Sequence, residues 1–372
     1  MRIVGQVGKK AVRVDTDVWL AGKFVWPDPM RLDSGQRVKS LADWQLRRSQ
    51  IRHLLVSALY GELPATPTHT RCIALHAGPA VQPGQASLLS CRVEADGVQA
   101  FSLRLIRPAG VAPVPIILSG DGCWGYATQE VVSAILSRGY GFAEFNRTEV
   151  MSDMAQHGRN QAMCAALSGF QGGAIAAWAW GYQRAVDALQ QVPGVDTSRI
   201  SVVGHSRGGK AALLAGALDE RIALTSANNS GAAGAGSCLW QPAGAETLAD
   251  LVDQFPHWLA TGLEPLKPGA HAGSLDQHFL KALLAPRALL TTEALQDLWA
   301  NPQGSWLTHR AAQPVFDFLG APEHNAIVFR DGGHAHSLAD WQTLLTFADA
   351  VFAGTAPATN MNASPFPDLP GI

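Results

Sequence analysis

Arg199-Ile200-Ser201-Val202-Val203-Gly204-His205-Ser206-Arg207-Gly208-Gly209-Lys210-Ala211-Ala212-Leu213-Leu214-Ala215-Gly216-Ala217 is the stretch that decides the fold. Its first five residues are a short β-branched run, the pattern of a buried strand. Ala211 to Ala217 reads as a buried helix. Between them lies G-x-S-x-G, and strand, G-x-S-x-G, helix is the context of a nucleophile elbow. Gly204 and Gly208 leave room for a tight, strained turn in which a Cβ would clash. The turn lifts the Ser206 hydroxyl clear of the sheet. The helix that follows aims its free N–H groups and positive dipole end at the same place, where an oxyanion would form. The plainer reading is a Gly-rich turn with an incidental serine, and the flanks argue against it.

Outward from this stretch the chain alternates strand and helix. Upstream, Val114–Leu118 is a strand ending in the Gly-rich loop Ser119-Gly120-Asp121-Gly122-Cys123-Trp124-Gly125. Residues 127–137 read as a helix, Gly141–Phe145 as a strand and Gly172–Gln191 as a long helix. Residues 146–170 show no period and read as a functional loop or insert. Downstream, Arg221–Thr225, Ala288–Thr292 and Ala326–Phe329 read as strands, with helices at 305–319 and 338–353. Alternating βα units imply a mainly parallel sheet covered on both faces, with ligands at the carboxyl ends of its strands. Nearer the start, Ser40–Tyr60 has Trp44, Leu46, Ile51, Leu54, Leu55, Ala58 and Leu59 at helical spacing, with Arg47, Arg48 and Arg52 on the other face. Residues 70–77, 87–95 and 100–107 alternate as strands, joined by turns at Pro79-Pro83-Gly84 and Asp96-Gly97, and predict an antiparallel edge. No repeat or linker interrupts the pattern. The expectation is one domain over 1–354 and a loose tail over 355–372.

A serine is a weak nucleophile without a base held by an acid. In this fold type the base follows the last strand. Arg330-Asp331-Gly332-Gly333-His334-Ala335-His336 lies there. The Gly pair can turn the chain back over the sheet, which favours His334, with His336 as second choice. His324 lies before the strand. Two histidines alone do not make a metal site, and no third ligand stands at a recognisable spacing. The acid should follow an earlier strand. After Ala288–Thr292 both Glu293 and Asp297 qualify by position. After Leu224-Thr225 the chain offers only Asn228 and Asn229, amides that cannot stabilise an imidazolium as a carboxylate does.

The totals narrow the function. The chain has 372 residues, 47% of them hydrophobic, so a sizeable core is available. A formal net charge of −2 without basic blocks gives no support to nucleic-acid or anionic-membrane partners. Five cysteines without a C-x-x-C pair argue against a purely disulfide framework. No apolar run reaches membrane-spanning length. Met1–Leu20 carries Lys9, Lys10, Arg13, Asp15 and Asp17 and no continuous apolar stretch, so a cytoplasmic location is expected. A chain from which a leader had been cleaved would be secreted. Nothing calls for a cofactor, and the composition is silent on oligomeric state.

At this point the residues resemble a family. Gly204-His205-Ser206-Arg207-x-Gly209-Lys210 is similar to the Ser-Arg-x-Gly-Lys signature of the glucuronoyl esterases, carbohydrate esterase family 15, which have the α/β-hydrolase fold. Similar segments follow in order along most of the chain. They include Trp44…Arg47-Arg48…Tyr60-Gly61…Pro64, Ala174-Ile175-Ala176-Ala177-Trp178-Ala179-Trp180-Gly181, Phe255-Pro256-His257-Trp258, Asp297-Leu298-Trp299-Ala300-Asn301-Pro302 and Gly332-Gly333-His334. The resemblance implies a metal-independent serine esterase acting on glucuronate esters, or another small or carbohydrate ester. Ser206 would be the nucleophile, His334 the base, Asp297 the acid at the later-strand site and Arg207 the oxyanion arginine. Lys210, Glu246 and Trp299 would be sugar contacts. Two departures stand out: Asn229 replaces the acid that many members carry before Ser230-Gly231, and the arginine usual a few residues on is absent around Trp240-Gln241-Pro242. The rival expectations are an intracellular esterase for an unrelated small ester and a scaffold that only binds carbohydrate.

Overall fold

The computed structural model describes residues 26–80, 86–110, 113–157, 162–261, 263, 276–357, 361–367 and 369. The charged start Met1–Leu20 and the turn residues Pro83 and Gly84 lie outside them.

A nine-stranded sheet runs through these residues in the order β1-β2-β3-β5-β4-β6-β7-β8-β9. Strands β1 (Thr70–Pro79), β2 (Ala86–Ala95) and β3 (Val98–Pro108) form the antiparallel edge, and β3 pairs antiparallel with β5 (Gly141–Phe145). Strands β4 (Val114–Ser119), β6 (Val195–His205), β7 (Leu224–Asn228), β8 (Ala288–Ala294) and β9 (Asn325–Arg330) continue it in parallel. The α/β-hydrolase expectation is met.

The inner strands are apolar on both faces because helices cover both. Ile116, Leu118, Ile200 and Val202 share a buried cluster with α3 (Ala174–Leu189) and α4 (Arg207–Leu218). The alternate residues Ile117, Val203 and Leu290 pack with α2 (Gln129–Ser137) and α8 (Leu338–Ala353) on the opposite face. Each such side chain, fully buried, contributes about 1.5–3 kcal/mol. Helix α7 (Pro302–Phe318) lies between β8 and β9 in sequence, after the short helices α5 (Leu248–Gln254) and α6 (Gln277–Ala282).

Four local expectations are corrected. The strand expected at Arg221–Thr225 is Leu224–Asn228. Arg221 is spent on ion pairs with Asp187 and Asp219, which holds it in the turn. Strand β8 runs two residues further than expected, which takes Glu293 inside it. The first helix, α1 (Leu41–Leu55), widens into a π-type turn over Val56–Tyr60. Trp44, Ile51, Leu55 and Leu59 are buried as expected, but Arg47 is buried with them, over the Phe279 ring and against Asp33, and Leu46 is exposed. Beyond Gly354, Asn362 pairs with the backbone of Ile327 on β9 in both directions, and Phe366 packs edge-on against Phe329. These residues are docked on the sheet edge rather than loose. All five cysteines are free thiols. Among the described residues no helix is long and apolar enough to cross a membrane.

Candidate active site

Ser206 follows β6 directly and holds φ 55° and ψ −124°, a left-handed backbone that a serine adopts only under constraint. The constraint is steric and polar together. A Cβ on Gly204 would meet the Gly208 carbonyl, and the Ser206 N–H donates to Asn228 O at 2.8 Å. The turn therefore stands over the sheet with the first turn of α4 behind it, whose leading N–H groups have no partner within the helix.

Two loops meet this serine. The residues after β8 carry Asp297 and those after β9 carry His334. They are stitched together by backbone bonds: Leu295 N to Arg330 O at 2.9 Å and Gln296 N to Gly332 O at 3.1 Å. Gly332 N also donates to the Gln296 side chain. Arg330 reaches across to Asp340 and to Ala335 O, which clamps the histidine loop from the α8 side. His334 Nε2 is 2.9 Å from Ser206 Oγ, and Asp297 Oδ2 is 2.6 Å from His334 Nδ1. Asp297 can only accept, so Nδ1 carries the proton and Nε2 accepts from the serine hydroxyl.

Other rings back the base. His205 lies 4.6 Å from His334, His336 stacks 5.6 Å beyond His205, and Trp341 stacks 4.5 Å beyond His336. Burial pushes His205 down to about 4, with His334 adding to the effect, while its ring hydrogen bond with Asn228 opposes them. Burial, with His205 and Arg330, drives His336 well below its ordinary value. Both stay neutral at working pH and put no charge beside a protonated His334. His336 thus packs behind the site, and His324 bonds Pro286 O on the far side of β9.

The two candidate acids separate cleanly. Glu293 is fully buried inside β8 and accepts from Ser305 Oγ at 2.7 Å. Burial pushes its carboxyl up to about 8, while Ser305 and Lys281 pull the other way. Only Asp297 reaches the histidine. Asn229, with φ 44°, spends its Oδ1 on Ala294 N at 2.8 Å and closes the end of β8.

Arg207 follows the serine. Its Nη1 lies 3.2 and 3.3 Å from the Asp153 oxygens, and its guanidinium carbon sits 4.6 Å over Trp258 and 5.0 Å over Phe255. Lys210 is buried one helical turn on. Its ammonium donates to Ser230 O, Ala232 O and Glu246 Oε2 at 2.7, 2.5 and 2.6 Å. An ammonium has three donors, so none remains for a sugar hydroxyl. These bonds fix Lys210 and aim Glu246. The other Glu246 oxygen accepts from Trp299 Nε1 at 3.1 Å, and Trp299 is 41% exposed. A carboxylate offers about four lone-pair sites, so two are open after these bonds. Sequence reasoning missed Asp121, Arg147 and Asp153. They sit singly in the loops after β4 and β5, and position at a carboxyl strand end was the only signal they carried. Among the described residues no group of three or more His, Cys, Asp and Glu side chains is arranged to hold a metal ion.

A strained serine after a parallel strand, an imidazole at its hydroxyl and a carboxylate behind the imidazole define a serine hydrolase site on an α/β-hydrolase fold. The family model described as "Glucuronyl esterase, fungi" matches residues 92–320, and the chain belongs to the glucuronoyl esterases, carbohydrate esterase family 15. It is 31% identical over 334 residues to 4-O-methyl-glucuronoyl methylesterase 1 of Phanerochaete chrysosporium, covering 86% of this chain and 67% of that one. It is similar in structure to a family 15 glucuronoyl esterase from Caldicellulosiruptor kristjansonii, with a TM-score of 0.77, 29% identity and coverage of 94% of this chain and 96% of that one. It is also similar to a Sporotrichum thermophile glucuronoyl esterase solved with methyl 4-O-methyl-beta-D-glucopyranuronate, with a TM-score of 0.72, 26% identity and coverage of 90% and 89%. The chain is thus related to carboxylic ester hydrolases of carbohydrates.

Proposed function

We propose that this chain hydrolyses esters of glucuronic acid and its 4-O-methyl derivative through a seryl acyl-enzyme. The observation that carries the proposal is the continuous chain from Ser206 Oγ through His334 to Asp297, at 2.9 and 2.6 Å. Ser206 Oγ attacks the uronate ester carbonyl while His334 Nε2 takes its proton. Asp297 fixes the tautomer and stabilises the imidazolium. The tetrahedral oxyanion accepts from the Arg207 backbone N–H and is stabilised by its guanidinium. His334 returns the proton to the departing alcohol, then activates the water that frees the uronate. Glu246, aimed by Lys210 and Trp299, accepts from sugar hydroxyls, and the exposed Trp299 ring lies beside the sugar. The named relatives and the glucuronate methyl ester bound to one of them support this substrate class.

The same reading takes residues 1–354 as one hydrolase domain, because the described strands all join one sheet. Turnover of methyl and benzyl glucuronate, set against p-nitrophenyl acetate, tests the substrate. The expected outcome is a kcat/KM at least about tenfold higher on the glucuronate esters, since the sugar contacts add binding that a small acetate cannot use. A preference for the acetate would sink the glucuronate assignment and leave only the esterase chemistry.

A further inference from the structure

The buried charges beside Ser206 alternate in sign and form a chain. Asp121, 2% exposed in the loop after β4, accepts the His205 N–H at 2.8 Å and is ion-paired with Arg147. It presses so closely on the elbow that a Cβ on Gly208 would collide with it. Arg147 is fully buried, with its guanidinium carbon 5.1 Å over the Trp178 ring, and its Nη2 is 3.8 Å from Asp153. Asp153 accepts from Trp258 Nε1 at 3.0 Å and from Arg207 Nη1. His257 Nε2 lies 3.9 Å from Asp153, too distant for a hydrogen bond. Burial pushes the Asp153 carboxyl up, yet His257, Arg207, Arg147 and Trp258 outweigh it and hold it below its ordinary value. The charged form is therefore favoured. At the outer end of the chain, the Arg207 side chain keeps 26% of its surface exposed.

A free arginine on this surface would sample many rotamers and reach an oxyanion in few of them. Here the guanidinium is held by two oxygens on one edge and by aromatic faces on its plane. Its position is set before substrate arrives, the condition under which a charge stabilises a transition state most. We propose that Asp153 is a positioning residue of the reaction. It fixes the Arg207 guanidinium where the oxyanion forms, and Arg147 and Asp121 tie that anchor to the nucleophile turn. The inference rests on Arg207 stabilising the oxyanion, as in the function proposed above. An aspartate this close also weakens the arginine's field, so its removal has two opposed effects, and lost position outweighs gained field.

The test is a double-mutant cycle on a glucuronate methyl ester, with thermal midpoints of all variants measured alongside. Arg207→Ala is expected to lower kcat about 100-fold. Asp153→Asn is expected to lower kcat about tenfold, with KM within about twofold, and to change kcat by less than about twofold when Arg207 is already alanine. A merely structural aspartate would instead lower kcat by the same factor in both backgrounds, which overturns the proposal. If Arg207→Ala costs its 100-fold and Asp153→Asn costs nothing, the proposal fails while the oxyanion reading stands. If Arg207→Ala costs nothing, both fail. Should Asp153→Asn not fold, Trp258→Phe removes one donor to Asp153 and leaves a smaller aromatic face beside Arg207. It is expected to lower kcat about threefold with Arg207 present and not without it, and equal losses in both backgrounds count against the proposal.

Discussion

The two sides of Ser206 are built differently. On the base side, His334 is 42% exposed and hangs on a loop fixed by backbone bonds to its neighbour. On the anion side, Arg207 is the outer end of a buried ladder of charges reaching back to Asp121. The difference follows the work each side does. A proton carrier must trade with substrate and water, so it needs reach and a partner on one nitrogen only. A stabiliser of developing charge must not move when the charge appears, so it needs packing. Loops stitched by main chain and clamped by Arg330 serve the first, whereas the second takes a ladder of buried charges.

The largest effect that sharpens this contrast is expected from the acid. Asp297→Asn should lower kcat by about 10³–10⁴-fold, because an amide leaves His334 in the wrong tautomer. Glu293→Gln, assayed in parallel, should stay within about threefold, since Glu293 is held inside β8. Equal losses would place the acid in doubt. A second break concerns the rings behind the base. Burial holds His205 near 4 and His336 far below its ordinary value, so one imidazole alone should control the acid limb. The acid limb of log kcat/KM should fall with a limiting slope of about one. A slope of two would mean that a second histidine titrates with catalysis.

Smaller still, Trp299→Phe keeps an aromatic side chain, though a smaller one, and removes the donor to Glu246. It should raise KM about three- to tenfold on a glucuronate ester and leave kcat within about twofold. The smallest effect belongs to the scaffold. Burial pushes His278 and His309 down to about 3. An unfolded histidine titrates near 6.5, so below that pH the unfolded chain binds protons that the folded one refuses, and stability falls as pH drops towards 3. Burial raises the Glu293 and Asp276 carboxyls to about 8 and about 6, which acts the other way over the same range, so the histidine effect is read as a difference: between pH 6.5 and 4.5 the thermal midpoint of His309→Gln should fall less than that of the parent. Equal falls in parent and variant would contradict the burial of that ring.

The same contrast explains what could be read in the residues. Ser206 and His334 announce themselves by position: one in a G-x-S-x-G after a β-branched run, the other past the last strand behind two glycines. Their geometry depends on backbone topology, and topology follows from alternating strands and helices. The choice between Glu293 and Asp297 was open, because it turned on β8 being two residues longer than its apolar core suggested. The sugar-contact role of Lys210 is implied by the resemblance alone; helical spacing shows its face and says nothing of acceptors arriving from 230–246. Asp121, Arg147 and Asp153 were illegible. Each is a single charged residue in a loop, and only the folded chain brings them within reach of one another. Arg47 misled for a related reason: its stem and cation found Phe279 and Asp33, neither adjacent in sequence.

The central claim is that one serine hydroxyl carries the uronate acyl group. Its most direct test is the steady-state rate of Ser206→Ala on benzyl glucuronate, with a thermal midpoint to verify the fold. The account expects a loss of at least about 10⁴-fold in an intact protein. A folded variant that keeps even a tenth of the parent rate would contradict it.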